Sequence, residues 1–391
     1  MKILRSIHTV NPAVGGPIES VRQSSALLAR RGHEVEIVTL DLPDDPWTRE
    51  MSAPVHALGE TRASYGYSKR FLPWLQERRS QYDVVIVQGV WQYSSFGVWR
   101  ALHGTGTPYV VFPHGMLDPW FKRTYPLKHL KKLLYWTCAE SRVLRDAAAV
   151  LFTSEEERRL ARKSFPFYRC RKVVVNYGTA APETELEPAR EEFLERWPHL
   201  RGKRLLLFLS RLHEKKGCDL LIEAFAKVQR DDLHLVIAGP PADESYLAML
   251  QRLVATHFPT GESPVTFVGM LSGNLKWGAF GAAEALVLPS HQENFGIAVV
   301  EALGCGTPVL ISNKVNIWRE IVEDGAGLAE NDDVAGTERL LTRWLALSDA
   351  ETTAMGAAAR RSFTARFELK RAVDHLEEVL KQATSVAQER D

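Results

Sequence analysis

Two blocks of strand–helix alternation, interrupted once, constrain this chain more than any other feature. In the first block the apolar runs "KILRSI", "EVEIVTL", "DVVIVQG", "PYVVFP" and "AAVLFT" are separated by helical patterns. After Tyr177 the alternation stops in "GTAAPETELEPAREEF", whose Pro, Thr and Glu content reads as a linker. It restarts with "RLLLFLS", "LHLVIAG", "VTFVG", "EALVLPS" and "TPVLIS". Strands that alternate with helices build stacked βαβ units and a largely parallel sheet. The expected fold class is α/β, with two doubly wound halves split at about residue 180. Ligands of such halves sit outside the C-terminal ends of the strands.

Local signals agree. The first helix is expected to begin at Pro17, a favoured first-turn residue, and to end near Arg31 with Gly32 as its stop. Ser154 and Glu157 have the spacing of a capping box that opens a helix after "AAVLFT".

Composition removes several function classes. A net charge of +1 over 391 residues gives a polyanion-binding role no global support, so no nucleic-acid partner is expected. Cys138, Cys170, Cys218 and Cys305 are scattered, with neither CxxC nor zinc spacing, so neither a disulfide framework nor a structural metal is expected. The opening "MKILRSIHTV" is too short for a signal h-region, and no run reaches the roughly 18 apolar residues of a membrane span. The expected location is cytoplasmic.

In the second half, "RLLLFLS" runs into "RLHEKKGCDLLIEAF", which puts Arg211 and Lys216 in a strand-to-helix loop with Gly217 opening the helix. Such a loop is either a solvated turn or a diphosphate clamp, Arg supplying a bidentate fork and Lys a point charge. In "PSHQENFGIAVVEALGCGTPVL", Gly296 begins the next helix. Without a Cβ there, a phosphate can approach the amides of Gly296 and Ile297. Ile297 and Glu301 share one helix face, and Glu301 leans back toward the first turn. Glu301 and Glu293 then suit the diols of two polyols flanking an anion, or else cap and solvate the helix.

These two segments resemble the signature of retaining family 4 glycosyltransferases, group 1 glycosyl transferases with the GT-B fold. The E-x7-E spacing from Glu293 to Glu301 is its diagnostic part. Further matching pieces span nearly the whole chain: Gly15-Gly16, "PHG" at His114, "VVNYG" and "NIWREIVEDGAGL". The resemblance implies two Rossmann-like domains facing each other across a cleft. Residues 1–180 would bind the acceptor, residues 181–365 the nucleotide-sugar donor, and residues 366–391 would form a C-terminal helix crossing back to the first domain.

The resemblance also implies roles. Arg211 and Lys216 would grip the donor diphosphate, Glu293 would contact the transferred sugar, and Glu301 the ribose. Asn294, Phe295, Gly296 and Ile297 would cover the distal phosphate, and Gly269 and Met270 would lie by the nucleobase of a UDP or GDP donor. His114 would hydrogen-bond the donor sugar, making it catalytic together with Arg211, Lys216 and Glu293. Gly15 and Gly16 would let a sugar or phosphate approach the backbone. The chain has no DxD, so no metal and no cofactor are expected, and retention would proceed by front-face attack.

Two first-half segments are more individual. "QGVWQYSSFGVW" puts Trp91 and Tyr93 after the third strand, either to stack on an acceptor sugar or to pack in the core. In "WFKRTYPLKHLKKLLYWTCAESRVLRD", Leu127, Leu130 and Leu134 follow helical spacing while Lys128, Lys131 and Lys132 project elsewhere. Residues 121–145 thus read as either a solvated helix face or a basic, aromatic-edged surface for an anionic membrane. The latter would place the enzyme peripherally on the cytoplasmic face, meeting a saccharide or lipid-linked acceptor in surface polysaccharide or glycoconjugate synthesis. Rival readings are a GT-B sugar-nucleotide epimerase and a non-catalytic nucleotide-sugar-binding partner. The lack of a GxGxxG after any strand disfavours a nicotinamide dehydrogenase.

Overall fold

Continuous apolar runs, such as the fully buried "VVIVQ" at Val84–Gln88, become strands covered on both faces, as parallel sheets require. The computed structural model describes residues 1–388 except 183, 229 and 260. One residue of the expected linker and the last three of the expected C-terminal segment therefore lie outside the described residues.

The chain divides into two compact units, residues 1–178 with 369–391 and residues 179–368. The first holds a parallel sheet of β1 (Lys2–Ile7), β2 (Glu34–Thr39), β3 (Val55–Ala57), β4 (Val84–Gln88), β5 (Tyr109–Phe112), β6 (Ala149–Phe152) and β7 (Lys172–Val174). Its strand order is β3-β2-β1-β4-β5-β6-β7. The second holds β8 (Arg204–Leu209), β9 (Leu233–Ala238), β10 (Val265–Gly269), β11 (Ala285–Leu288), β12 (Val309–Ser312) and β13 (Gly327–Glu330). Here the order is β10-β9-β8-β11-β12-β13, again parallel. In both sheets the winding reverses beside the unit's first strand, at β1/β4 and at β8/β11. That reversal opens a crevice at the C-terminal strand ends.

Sequence patterning misses β3, β7 and β13, which are edge strands of three or four residues with little continuous burial. The expected linker is also corrected. Leu186–Arg196 is a helix that buries Ala189, Phe193 and Leu194. It lies so close to the helix Gly273–Ala282 that a Cβ on Gly278 would meet the Ala189 carbonyl at 2.0 Å.

The helix Gly16–Arg30 closes on a Schellman pair, Gly32 N–H to Ala29 O (3.0 Å) and His33 N–H to Leu28 O (3.2 Å). The helix Leu369–Gln388 belongs to the first unit. Its Val373, Leu376, Val379, Leu380 and Ala383 complete a core with Ile3, Leu28, Val84, Ile86, Val110 and Leu151.

Candidate functional site

The switch point of the second unit collects most of the expected donor residues. The loop after β8 carries Arg211 and ends in the turn Glu214–Lys216, followed by Gly217 at φ 67°. A Cβ on Gly217 would meet the Pro289 carbonyl at 2.4 Å, so glycine is needed for the conformation and for the approach of the β11 loop. The two loops are joined further by His291 N–H donating to Lys215 O at 2.9 Å. The Lys216 ammonium then pairs directly with the Glu293 carboxylate.

Glu293 is held on both sides. Its N–H donates to Lys314 O (3.0 Å) and its carbonyl accepts from Asn316 N–H (3.0 Å), fixing the β11 loop to the loop after β12. Burial raises the Glu293 carboxyl. The charges of Lys216 and Lys215 and hydrogen bonds from Lys216 and the Asn294 amide outweigh burial, leaving the group below the ordinary carboxylate range. Gly296, at φ 78°, caps the helix Ile297–Cys305. One turn on, Glu301 is 6% exposed and accepts from Lys276 Nζ at 2.7 Å.

Both carboxylates of the E-x7-E pair therefore meet lysines from other elements, either side of a helix start rich in free N–H groups. Arg211 is exposed and, among the described residues, makes no ion pair. The arrangement can hold an anion at Gly296, Arg211 and Lys216, with hydroxyl-bearing groups on the carboxylates.

Lys276 is a functional candidate that sequence reasoning missed. It follows β10, and its pairing with Glu301 exists only because of the strand order. Other expected residues have plainer settings. Phe295 is buried against Phe367 (ring centroids 5.9 Å), so its ring anchors the loop and only its backbone is left for a ligand. Asn294 Oδ1 lies 3.4 Å from Asn316 Nδ2. Gly269 (φ 72°) and Met270 are exposed at the end of the edge strand β10, two strands from β8.

In the first unit, Gly15 caps the helix Gly16–Arg30 at φ 97°, a conformation open to glycine. His114 and Gly115 both take positive φ, 50° and 72°. Glu157 holds this turn, accepting from the Gly115 N–H at 2.6 Å and from Thr153. The capping box is therefore half formed: Ser154 caps Glu157 N–H, but the Glu157 carboxylate serves Gly115 and Thr153 instead. The His114 ring stacks on Phe112, and its Nε2 lies 2.6 Å from Gln88 Oε1. Burial, aided by the charge of Arg5, lowers its pKa to about 4. Neutral His114 then donates from Nε2–H to Gln88, leaving Nδ1 as an acceptor.

Tyr93 is corrected from the acceptor role. It is 3% exposed and packs among Tyr65, Tyr67 and Phe71, with no face left for a sugar. Trp91, at φ 75°, is half-buried, donating its indole N–H to Met116 O and its backbone N–H to Glu140. Lys132 turns over the Trp91 and Phe121 rings and so leaves the expected basic surface. On the same helix, Pro126–Tyr135, Leu127, Leu130 and Leu134 point outward, 81%, 61% and 70% exposed. Lys122, Arg123, Lys128 and Lys131 are also exposed. Among the described residues no helix is long and apolar enough to cross a membrane, and no group of His, Cys, Asp and Glu could hold a metal ion.

Known proteins agree with this geometry. Residues 15–178 match the glycosyl transferase 4-like domain and residues 189–362 match glycosyl transferases group 1. The chain is 26% identical to an uncharacterized glycosyltransferase of Methanocaldococcus jannaschii, covering 85% of this chain and 86% of that one. It is 28% identical to the alpha-monoglucosyldiacylglycerol synthase of Streptococcus pneumoniae, covering 79% and 70%. Among solved structures, sucrose-phosphate synthase from Thermosynechococcus elongatus superposes with a TM-score of 0.78 at 21% identity, over 98% and 99% of the two chains. Anabaena Alr3699/HepE in complex with UDP-glucose gives 0.77 at 17%, over 98% and 100%. Two parallel doubly wound sheets and two family matches together spanning most of the sequence make this chain a group 1 glycosyltransferase of the GT-B type.

Proposed function

We propose that this enzyme transfers a sugar, with retention, from a UDP- or GDP-sugar to a glycan or lipid-linked saccharide during surface polysaccharide or glycoconjugate synthesis. The observation that carries the reading is the pairing of Glu293 with Lys216 and of Glu301 with Lys276 around the Gly296 helix start. Arg211, Lys216 and the amides after Gly296 take the diphosphate; Glu301 takes the ribose and Glu293 the transferred sugar. As the bond from the anomeric carbon to the leaving phosphate oxygen breaks, negative charge grows on that oxygen, and these fixed cations and dipoles stabilise it. The acceptor oxygen bonds to the same face of that carbon while its proton passes to the leaving phosphate. Neutral His114 accepts a hydrogen bond from a hydroxyl of the donor sugar at Nδ1 and supplies no proton. No divalent metal is required, because Arg and Lys supply the neutralising charge.

Supporting the donor class, a structural neighbour was solved with UDP-glucose, and a relative is named as a glycolipid synthase. The outward leucines, rimmed by Lys122, Arg123, Lys128 and Lys131, fit an anionic membrane surface where a lipid-linked acceptor is met. The test is a thermal-shift panel of UDP, GDP, ADP and their sugars, followed by product analysis with saccharide acceptors. Selective stabilisation by one diphosphate fixes the donor class. Product of inverted anomeric configuration defeats retention, and C2 epimerisation of the donor without transfer defeats the whole reading.

A further inference from the structure

We propose that the first unit binds a small monovalent anion, of halide size, on the buried guanidinium of Arg5. Arg5 lies on β1 and is 2% exposed. Its Nε and Nη2 are both buried with no hydrogen-bond acceptor in reach. It faces a cavity of about 30 Å³ whose polar walls are Ser20, Ser24, Gln88, Asn176 and Tyr177; no Asp or Glu lines it. Burial lowers the Arg5 pKa only to about 10, so the group keeps its charge at neutral pH.

Nearly all buried donors in folded proteins find a partner, and buried cations are almost always matched by an anion. An uncompensated guanidinium is among the costlier features a core can contain. The remaining walls are apolar, contributed by Phe112, Val175 and the helix Leu369–Gln388. Size selects the ligand. A single water needs about 10–15 Å³, so a cavity of about 30 Å³ takes two or three atoms of that size. A chloride fits; a phosphate, with five heavy atoms, does not. Water could solvate the guanidinium but would bring no negative charge.

The position gives such an ion a structural role. Asn176 and Gly178 end the first stretch of this unit, and Leu369 begins its second. An anion on Arg5 would join both stretches to β1. Gln88, another wall, also holds His114, so the site adjoins the "PHG" turn.

The test uses full-length protein. Thermal unfolding is compared in sodium chloride and sodium gluconate at equal ionic strength, gluconate being too large to enter. Chloride should give a saturable rise of about 2–4 °C in Tm, absent in Arg5→Met. Crystals in sodium bromide should show an anomalous peak at hydrogen-bond distance from Arg5 Nε or Nη2. This second measurement decides the matter if Arg5→Met does not fold. Equal Tm in the two salts, an undiminished chloride response in Arg5→Met, or a cavity holding water alone each overturns the proposal.

Discussion

Lys216 and Glu293, 77 residues apart in sequence, form a direct ion pair across the switch point of the second unit. The pair neutralises each partner until a ligand arrives. Under the proposed function, a diphosphate would draw Lys216 away from Glu293 and free that carboxylate for sugar hydroxyls. The diphosphate and Glu293 would thus compete for the same lysine, which makes the two carboxyl substitutions informative in different ways.

Removing the lysine should expose the charge that the leaving group develops. Lys216→Ala is expected to lower kcat by about 100- to 1,000-fold, the usual effect of deleting one transition-state donor, with the Tm little changed. Steady-state kinetics on the verified donor check this, and unchanged turnover removes Lys216 from the clamp.

Glu293→Gln should separate affinity from turnover. With its partner neutral, Lys216 is free for phosphate, so the Kd for the nucleoside diphosphate should hold or fall while kcat drops. Calorimetric titration alongside kinetics reads both, and a large loss of diphosphate affinity would contradict the competition.

Glu301→Gln should act on the donor instead. Losing a charge-assisted hydrogen bond to ribose should raise the donor KM by about 10- to 100-fold, with a smaller change in kcat. A 2′,3′-dideoxy donor should bind wild type and variant equally.

His114 and His234 both have pKa values near 4 when folded, each lowered chiefly by burial. Unfolded histidine takes its proton near pH 6.5, so the stabilising effect of the neutral form is complete above that pH. It is lost progressively as pH falls from about 6.5 toward 4. Tm should decline over that window, and His114→Gln should make the decline shallower. A pH-rate profile should show no limb from His114 between pH 6 and 8.

Chelation should be without effect. Turnover after exhaustive EDTA treatment is expected to equal that of untreated enzyme, and restoration by added magnesium or manganese would show that Arg211 and Lys216 do not suffice.

The sheets were legible because both-face burial writes a strand as an unbroken apolar run, as in β4 and β11. Edge strands such as β3 and β13 carry no such run. Arg211, Lys216 and Glu293 could be picked out because each lies in a loop that follows a strand, and Glu301 because it sits one turn into the helix that follows such a loop. Their lysine partnerships could not: Lys276 reaches Glu301 only through the strand order, which local spacing does not encode. Tyr93 was left open between acceptor and core for a related reason. A tyrosine just after a strand can face either the crevice or the core, and only the packing of Tyr65, Tyr67 and Phe71 decides.

The helix Leu369–Gln388 supplies five residues to the core beneath β1, β4 and β5, although these strands are made more than 250 residues earlier. During synthesis the second unit, residues 179–368, is therefore the first whose own segment is complete. The first unit leaves the ribosome before the second, yet its core lacks the side chains of the helix Leu369–Gln388 until that helix has emerged. Truncation near residue 368 would spare the second unit and leave the first without that wall.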